Sequence, residues 1–265
     1  MDLRLGGKSV LITGGSKGIG FACAAGFAAE GCRIHIAARS EQDLESARKR
    51  LTDSHPVEVI CHACDLSGTD AVLALGRACR DVDIVVNNAG SIGRARIDEI
   101  GPDAWRRAWD LKVFGYIDLT REIYAGMRER GSGVIINIIG LSGERNRPEF
   151  IAGTSGNAAL MAFTRALGAE SVDFGVRVLG INPGRVETER QIEHLHEAAQ
   201  KRLGDRNRWK EIRAEMVAGL PFKRSARPDE VADLVVFLAS DRASYMSATV
   251  VTIDAGQSLR PRAQV

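Results

Sequence analysis

Short apolar runs alternate along the chain with longer segments in which apolar residues recur every three or four positions. The short runs are rich in Val and Ile and lack polar alternation, which is typical of strands buried on both faces of a parallel sheet. We therefore predict strands at 8–14, 32–38, 57–63, 82–88, 132–139, 175–182 and 248–254.

The segments between the strands are predicted to be helices, for example at 18–31, 40–53 and 228–240. The last of these begins with Pro228 and two acidic residues, which is an N-terminal helix signature. Repeated strand–helix–strand units join parallel strands by right-handed crossovers. The chain is therefore predicted to be of the α/β class, with a doubly wound parallel sheet of about seven strands and helices on both faces.

No Pro-, Gly- or Ser-rich linker and no internal repeat divides the sequence, so residues 1–265 are predicted to form one domain. Residues 185–222 depart from the alternation, because they are polar and rich in helix-forming residues. A long insertion on the ligand side of such a sheet often serves as a lid. We predict a helical substrate lid there and interpret its His194 and His196 as solvent-facing rather than catalytic.

Composition and charge narrow the class of function. The 36 basic and 34 acidic residues leave a formal charge of +2, which gives no electrostatic reason to expect nucleic acid or an anionic membrane as a partner. No apolar run approaches the ~20 residues that span a bilayer, and no signal-like segment precedes the first strand. Together with the odd count of five cysteines, this favours a reducing, cytoplasmic location.

Cys61 and Cys64 form a single CxxC pair. Because neither a second pair nor a group of ligands neighbours it in the sequence, a metal or redox role is not expected. We interpret the pair as the end of a buried strand and predict no metal site.

The first predicted strand ends in TGGSKGIG, residues 13–20. Gly14 permits a tight turn, Gly18 lets the backbone approach a pyrophosphate, and Gly20 lets the following helix pack closely on the sheet. The N-terminus of that helix offers unpaired N–H groups and a partial positive charge to phosphates. The loop is therefore predicted to bind a dinucleotide, and its other members in contact with that ligand would be Ser16, Lys17 and Ile19.

The end of the second strand indicates which dinucleotide is bound. An acid at that position would read a free ribose hydroxyl, but here the strand ends in IAARS, with Arg39 and no carboxylate. An arginine can form two charge-assisted hydrogen bonds with a phosphate, and Lys17 supplies a second cation nearby. NADP(H) is therefore favoured over NAD(H) as the cofactor.

Further motifs follow the glycine loop: CDLS at 64–67, NNAG at 87–90, INPGRVET at 181–188, and a tail at 227–256. Together they resemble the short-chain dehydrogenase/reductase family over essentially the whole chain, which implies a Rossmann-like fold. By that resemblance, two residues border the adenine and six line the cofactor groove or flank the nicotinamide. The first two are Asp65 and Leu66, and the six are Asn88, Ala89, Gly90, Pro183, Gly184 and Thr188.

The resemblance also implies a catalytic set: an asparagine after the fourth strand, a serine after the fifth, and then Tyr-x-x-x-Lys. In that set the tyrosine is the acid, and the lysine lowers its pKa and holds the nicotinamide ribose. Ser142 matches the serine, but Lys112 stands at the asparagine position. Gly153 stands at the tyrosine position and Asn157 at the lysine position, so the pair is predicted to be absent.

Two of these changes are complementary, because Lys112 stands at the asparagine position and Asn157 stands at the lysine position. We expect the Lys112 ammonium to lie near the ribose or the reacting oxygen, with Asn157 hydrogen-bonded nearby. The alternative is that Lys112 is a surface lysine. The missing proton can come from Lys112, Ser142 or a bound water, with Glu144 a weaker candidate, and the loss of the tyrosine side chain at Gly153 is expected to open space for a bulkier substrate.

Three functions remain open. The first is an NADP(H)-dependent oxidoreductase that interconverts a small alcohol and a carbonyl compound, with Lys112, Ser142 and Asn157 as its rearranged catalytic residues. The second is a non-catalytic NADP(H)-binding sensor or interaction partner, and the third is a lyase or isomerase on the same fold. By resemblance, long helices around 103–130 and 151–174 would pack against their symmetry mates in a homodimer or homotetramer.

Overall fold

The computed structural model describes residues 1–260, so positions 261–265 of the predicted domain lie outside the described residues. All seven predicted strands are confirmed, each to within two residues at either end. They are β1 (Ser9–Thr13), β2 (Arg33–Ala38), β3 (Val59–Ala63), β4 (Ile84–Asn87), β5 (Gly133–Ile138), β6 (Val176–Pro183) and β7 (Thr249–Ile253).

The strands form one parallel sheet in the order β3-β2-β1-β4-β5-β6-β7. The order reverses between β1 and β4, and in open α/β sheets ligands bind outside the carboxyl ends of the strands at such a reversal. This confirms the predicted fold class and places the expected binding cleft above the ends of β1 and β4.

Helices cover both faces of the sheet. Within the described residues they are α1 (Gly18–Ala29), α2 (Glu41–Ser54), α3 (Thr69–Ala78), α4 (Pro102–Trp109), α5 (Gly115–Arg130), α6 (Ile151–Ser171), α7 (Glu189–Leu203), α8 (Trp209–Ala218) and α9 (Pro228–Ala239). Helices α1, α2 and α9 share one apolar core with the sheet, while α3 and α5 share the other. Burial of the Val and Ile side chains on both faces explains why the strands read as unbroken apolar runs.

A buried polar chain links the centre of the sheet to its helices. The side-chain amide of Asn87 on β4 donates to Thr120 Oγ1 at 3.1 Å and to Asn137 Oδ1 at 2.8 Å. Asn137 on β5 donates in turn to Thr164 Oγ1 of α6 at 2.9 Å. Buried hydrogen-bonded networks help to fix the packing of neighbouring elements, and this one joins β4 and β5 to α5 and α6. Asn87 Oδ1 has no hydrogen-bond partner within residues 1–260.

Residues 185–222 contain two helices, α7 and α8, which pack on each other through a small apolar core of their own. The region's role as a lid stays a prediction. His196 is half-buried beside Trp209, and its Nδ1 lies 3.0 Å from the Arg206 carbonyl oxygen. Throughout residues 1–260, no helix combines the length and apolarity needed to cross a bilayer.

Candidate functional site

A cleft of about 580 Å³ lies at the carboxyl ends of the central strands. The glycine loop and the end of β2 form one wall, and the segments after β4 and β5 form the floor. The start of the segment 185–222 forms the opposite wall. Most residues predicted to hold the cofactor line this cleft, namely Gly14, Ser16, Lys17, Gly18, Ile19, Arg39, Leu66, Asn88, Ala89, Gly90, Pro183, Gly184 and Thr188.

The glycine loop leaves no room for side chains at two positions. Gly14 has a φ of +66°, which favours glycine, and a Cβ on Gly20 would lie 2.1 Å from the Gly14 carbonyl oxygen. Asn88 holds the loop from the β4 side, since its side-chain amide donates to the Thr13 carbonyl oxygen at 2.9 Å. Gly20 and Asn88 thus shape the loop, whose open backbone can approach a phosphate at the N-terminus of α1.

The two cations expected to bind the phosphate on the ribose lie at the end of the cleft formed by the glycine loop and β2. Arg39 and Lys17 both line it, but Lys17 Nζ forms an ion pair with Asp43 Oδ2 at 2.7 Å. The hydrogen bond from Lys17 holds the pKa of the Asp43 carboxyl below its ordinary value. Asp43 was not predicted from the sequence, although its place three residues after the helix-capping Ser40 could have indicated it.

Asp65, which was expected to border the adenine, is hydrogen-bonded within the turn after β3. Its Oδ1 accepts hydrogen bonds from the Ser67 backbone N–H at 3.0 Å and the Ser67 hydroxyl at 2.9 Å. These bonds lower the pKa of the Asp65 carboxyl. Leu66 lines the cleft and Asp65 does not, because the aspartate caps the turn that follows β3.

Lys112 lies in the cleft rather than on the outer surface of its helix. It sits in the middle of a π-helical turn, Asp110–Phe114, between α4 and α5. A π-helical turn adds a residue to the helix and is frequent at functional sites. The Lys112 stem crosses Gly90 so closely that a Cβ there would meet Lys112 Cδ at 2.9 Å. The amine donates to the Ile139 carbonyl oxygen at 2.6 Å.

The surroundings of Lys112 perturb its ionisation. Burial, and to a lesser extent the positive charge of Arg190, lowers the pKa of the Lys112 ammonium from 10.5 to about 8. Tyr116, one turn further along the helix, donates from its hydroxyl to the Ile138 carbonyl oxygen at 3.1 Å. Its ring centroid lies 5.8 Å from Lys112 Nζ. Burial raises the pKa of the Tyr116 phenol, so this tyrosine stays neutral and holds the backbone beside Lys112.

Ser142 and Asn157 contact each other at the end of β5. The side-chain amide of Asn157 donates to Ser142 Oγ at 2.8 Å and to the Gly140 carbonyl oxygen at 3.3 Å. Asn157 is 4% exposed, and its Oδ1 has no hydrogen-bond partner among residues 1–260. Lys112 and Asn157 thus hold successive carbonyl groups of one turn, 138–140, from two different helices.

The expectation of open space at Gly153 is wrong. A Cβ on Gly153 would lie 2.0 Å from Cε1 of Phe150, so the phenyl ring occupies the position where a side chain would begin. Phe150 precedes α6 by one residue, and its ring folds back over the first turn of that helix. The volume beside Gly153 is therefore filled from within the chain and is not available to a substrate.

Arg190 was missed by the sequence interpretation. It lies in the first turn of α7, and its guanidinium donates to the Gly90 carbonyl oxygen on the opposite rim of the cleft. Thr188 caps the same helix, because its hydroxyl oxygen accepts from the Gln191 backbone N–H at 3.2 Å. The start of α7 thus bridges the two rims. An arginine two residues after the INPGRVET motif was the available signal.

Glu144 and His194 have no catalytic contacts. Glu144 Oε2 accepts from the Thr252 hydroxyl at 3.1 Å, away from Ser142. His194 touches the cleft, but it is half-exposed and its ring pairs with Glu197 at 3.1 Å. Neither residue lies against the turn held by Lys112 and Asn157.

The glycine loop, the wound sheet and the cleft at its reversal define the class of protein. The chain matches the family model for short chain dehydrogenases over residues 8–199, and it belongs to that family. The family prediction is therefore confirmed, and membership supports an oxidoreductase enzyme.

Known relatives are similar over nearly their whole length. D-xylose 1-dehydrogenase of Caulobacter vibrioides is 32% identical over 254 residues, which cover 95% of this chain and 96% of the relative. L-sorbose reductase from Gluconobacter frateurii, solved with NADPH and L-sorbose, has a TM-score of 0.92 and 34% identity, covering 98% of this chain and 100% of the other. An NAD⁺-bound xylitol dehydrogenase has a TM-score of 0.85 and 25% identity, covering 96% and 100%.

Proposed function

We propose that the chain is an NADP(H)-dependent oxidoreductase that interconverts an alcohol and a carbonyl compound, with Lys112 replacing the tyrosine as the proton donor. The observation that carries the proposal is the Lys112 amine. It lies in the cleft and donates to the Ile139 carbonyl oxygen, next to the Gly140 carbonyl that Asn157 holds, and its pKa of about 8 is close to neutrality. A catalytic acid works best when its pKa lies near the operating pH.

Several residues of the cleft support a dinucleotide phosphorylated on its ribose as the cofactor. Gly14 and Gly18 have left-handed backbones at the N-terminus of α1, where N–H groups can bind a pyrophosphate. Arg39 lines the adenosine end of the cleft, where its guanidinium can bind a phosphate on the ribose. Lys17 can bind the same phosphate if its amine leaves the ion pair with Asp43. When bound, NADPH supplies a hydride to the carbonyl carbon.

The proton is supplied by this chain's own residues. The Lys112 amine donates one hydrogen bond to the Ile139 carbonyl oxygen at 2.6 Å and a weaker one to the Ile138 carbonyl oxygen at 3.5 Å. An ammonium has three donors, so at least one remains for a substrate oxygen. As negative charge develops on that oxygen, Lys112 transfers a proton to it, becomes a neutral amine and regains a proton from water.

Ser142 would orient the substrate. Its oxygen accepts from the Asn157 amide at 2.8 Å, so its own O–H remains available to donate to the carbonyl oxygen. Asn157 is a positioning residue in this scheme because it fixes both Ser142 and the Gly140 carbonyl. Donors fixed in advance around a developing oxyanion lower the barrier without reorganisation during the reaction.

The relatives suggest where to look for the substrate. D-xylose 1-dehydrogenase and L-sorbose reductase are named for sugars, and both cover nearly all of this chain. We therefore propose a small polyhydroxylated carbonyl compound or its alcohol.

The test is NADPH oxidation with a panel of ketoses, aldoses and simple ketones, and NADP⁺ reduction with the matching alcohols. We expect turnover with at least one compound, and a loss of about 10²- to 10⁴-fold in kcat in Lys112→Ala, since general acid catalysis has that magnitude. Lys201→Ala, which removes an exposed lysine of α7, is the matched control and should keep full activity. Full activity in Lys112→Ala would remove Lys112 from the mechanism.

One observation favours the second candidate, a non-catalytic NADP(H)-binding protein. The Phe150 ring fills the space beside Gly153, and no hydroxyl group replaces a tyrosine there. This candidate predicts tight NADPH binding, measured by fluorescence, without turnover across the whole panel. Turnover that depends on Lys112 would exclude it.

A further inference from the structure

Two histidines and a cysteine meet on the far side of β2 and β3 from α2. His35 lies on β2, His62 on β3, and Cys79 directly follows α3. His35 Nδ1 and His62 Nε2 are 3.1 Å apart, and Cys79 Sγ lies 3.8 Å from the first and 3.6 Å from the second. Three potential metal-ligand atoms therefore form a nearly equilateral triangle.

These distances match those of a metal coordination sphere. Tetrahedral Zn²⁺ with its usual bond lengths of about 2.0–2.1 Å to nitrogen and about 2.3 Å to sulfur separates two nitrogens by about 3.3–3.4 Å, and nitrogen from sulfur by about 3.6 Å. Each of the three separations between His35, His62 and Cys79 lies within about 0.3 Å of these values. Small movements of the side chains would complete the site.

Hydrogen bonds pair the three atoms only two at a time. Two facing imidazole nitrogens can share one proton, and a thiol can donate its single hydrogen to only one of them at a time. A cation at the centre of the triangle would satisfy both nitrogens and the sulfur together. The nearest fixed charges are Arg33 and Glu58, which neighbour His35 and form an ion pair with each other at 3.3 Å.

The fold holds the three ligands in place before any ion binds. The rings of His35 and His62 are stacked at 5.3 Å between centroids, with 10° between their planes. Cys79 is 2% exposed, while both histidines are half-buried, so an ion could enter from the histidine side. The site therefore combines a buried thiol with two accessible imidazoles on adjacent strands.

We propose that His35, His62 and Cys79 bind one divalent transition-metal ion of borderline softness, with Zn²⁺ the best match and water in the fourth position. Imidazole and thiolate are the ligands that such ions prefer over carboxylate sites. Binding breaks the contact between the histidines and forms two metal–nitrogen bonds and one metal–sulfur bond. The proton shared by the two facing nitrogens moves, through solvent, to the other ring nitrogen of the same imidazole, and the thiol proton is released to solvent. The ion would cross-link β2, β3 and the end of α3.

The CxxC pair gives the matched control. Cys61, on the opposite face of β3, has its thiol directed at the Leu44 carbonyl oxygen, at 3.6 Å. It lies one residue from His62 and is absent from the cluster. Cys61→Ser should therefore bind metal like the wild type, whereas Cys79→Ser should not, although each variant exchanges one sulfur for oxygen.

The experiment uses the full chain after treatment with a chelator. Titration with Co²⁺, followed by ultraviolet and visible absorption, should give one equivalent with a thiolate-to-cobalt charge-transfer band and tetrahedral d–d bands, and Zn²⁺ should displace it. Cys79→Ser should lose the charge-transfer band and bind Zn²⁺ at least about 100-fold more weakly, since even outer-shell changes cost up to that factor. His62→Gln should weaken binding similarly.

A thermal-unfolding series supplies a second readout. Zn²⁺ should raise the Tm of the wild type and of Cys61→Ser and leave that of Cys79→Ser unchanged, because an ion that binds only the folded state stabilises it. The proposal is overturned if the folded wild type shows no thiolate-to-cobalt band. It is equally overturned if Cys79→Ser retains the wild-type affinity. The wild-type spectrum decides the matter even where a variant does not fold.

Discussion

Lys112 is held in a place that lowers its affinity for a proton. In the unfolded chain its pKa is near the ordinary 10.5, and in the folded chain it is about 8. Between these values the unfolded state binds more protons, so the stability of the folded state rises with pH across that interval. Below pH 8 the full penalty of burying the ammonium is present. Lys112 thus lowers the stability of the chain at neutral pH.

Replacing the charge should therefore stabilise the protein. We expect Lys112→Met to raise the free energy of unfolding by roughly 1–3 kcal/mol at pH 7, allowing for the lost hydrogen bond to the Ile139 carbonyl. The advantage should shrink as the pH rises from 8 towards 10.5. Urea unfolding of both proteins at several pH values measures it. A constant difference across that range would show that Lys112 is not buried as a charge.

The predicted preference for NADP(H) over NAD(H) also depends on single residues. Arg39→Asp should weaken NADPH binding by roughly 10- to 100-fold, the value of charge-assisted hydrogen bonds to a phosphate, and should leave NADH binding much less affected. Asp43→Asn should strengthen NADPH binding several-fold, because it frees Lys17 from its ion pair. Both are measured as Kd by fluorescence titration.

Arg48→Asp is the control for overall charge. Arg48 lies on α2 and pairs with Glu45 at 2.7 Å, outside the cleft. The Arg48→Asp variant changes the net charge by the same amount as Arg39→Asp. Because Arg48 lies outside the cleft, the ratio of the NADPH and NADH affinities should stay near the wild-type value. Equal ratios in Arg39→Asp and the wild type would refute the proposed role of Arg39.

At the scale of elements, the first turn of α6 packs against the ring of Phe150, the residue directly before the helix. Gly153 is destabilising in a helix by about 1 kcal/mol relative to alanine, but a Cβ there would displace the Phe150 ring. We expect Gly153→Ala to be neutral or destabilising in the wild type and stabilising by about 1 kcal/mol in a Phe150→Ala background. Urea unfolding of the four proteins gives the coupling energy, and purely additive effects would contradict the packing described.

The same contact changes how a catalytic tyrosine could be reintroduced. Gly153→Tyr alone would place its Cβ against the Phe150 ring, so the double change with Asn157→Lys is not expected to restore generic ketone reduction. The further change Phe150→Ala would be needed to clear the space. Asn157→Lys would also remove the amide that donates to Ser142.

Much of the element scale could be predicted from sequence. The central strands β1, β4 and β6 are largely buried on both faces, so their apolar runs mark them. The glycine loop follows from its spacing at a strand–helix junction. The Phe150 ring could not be predicted, because its direction depends on a local turn. The Lys112 position could be expected but not the π-helical turn around it, since an added residue in a helix leaves no periodic signal.

Contacts between distant segments were harder still to predict. The ion pair of Lys17 with Asp43 and the bridge from Arg190 to Gly90 each join parts of the chain that only the folded sheet brings together. The CxxC pair illustrates the same difficulty. The sequence pattern marks Cys61 and Cys64 but gives no sign of Cys79. That cysteine lies beside His35 and His62 only because α3 returns over β2 and β3.

At the scale of the whole molecule, the predicted homodimer or homotetramer remains to be measured. Two glycines of α6 pack within the chain, because Gly156 lies against Val113 and Trp109, and Gly168 lies against Ala248. They therefore do not favour an oligomer.

Two large apolar residues near the ends of long helical segments are partly exposed, and the prediction of an oligomer rests on the family resemblance. Phe114 is 49% exposed and Val172 is 47% exposed. Sedimentation equilibrium should give a mass two or four times the chain mass of 28.6 kDa. A mass equal to one chain at all concentrations would refute the prediction.

The most direct measurement of the proposed mechanism is the pH dependence of kcat for carbonyl reduction by the wild type and Lys112→Arg. The acid must be protonated, so the wild-type kcat should be constant at low pH and fall as pH rises through about 8. Lys112→Arg keeps the charge but cannot release its proton in this range, so it should lose about 10²-fold or more at every pH. A wild-type profile with no change near pH 8, together with an active Lys112→Arg, would contradict Lys112 as the proton donor.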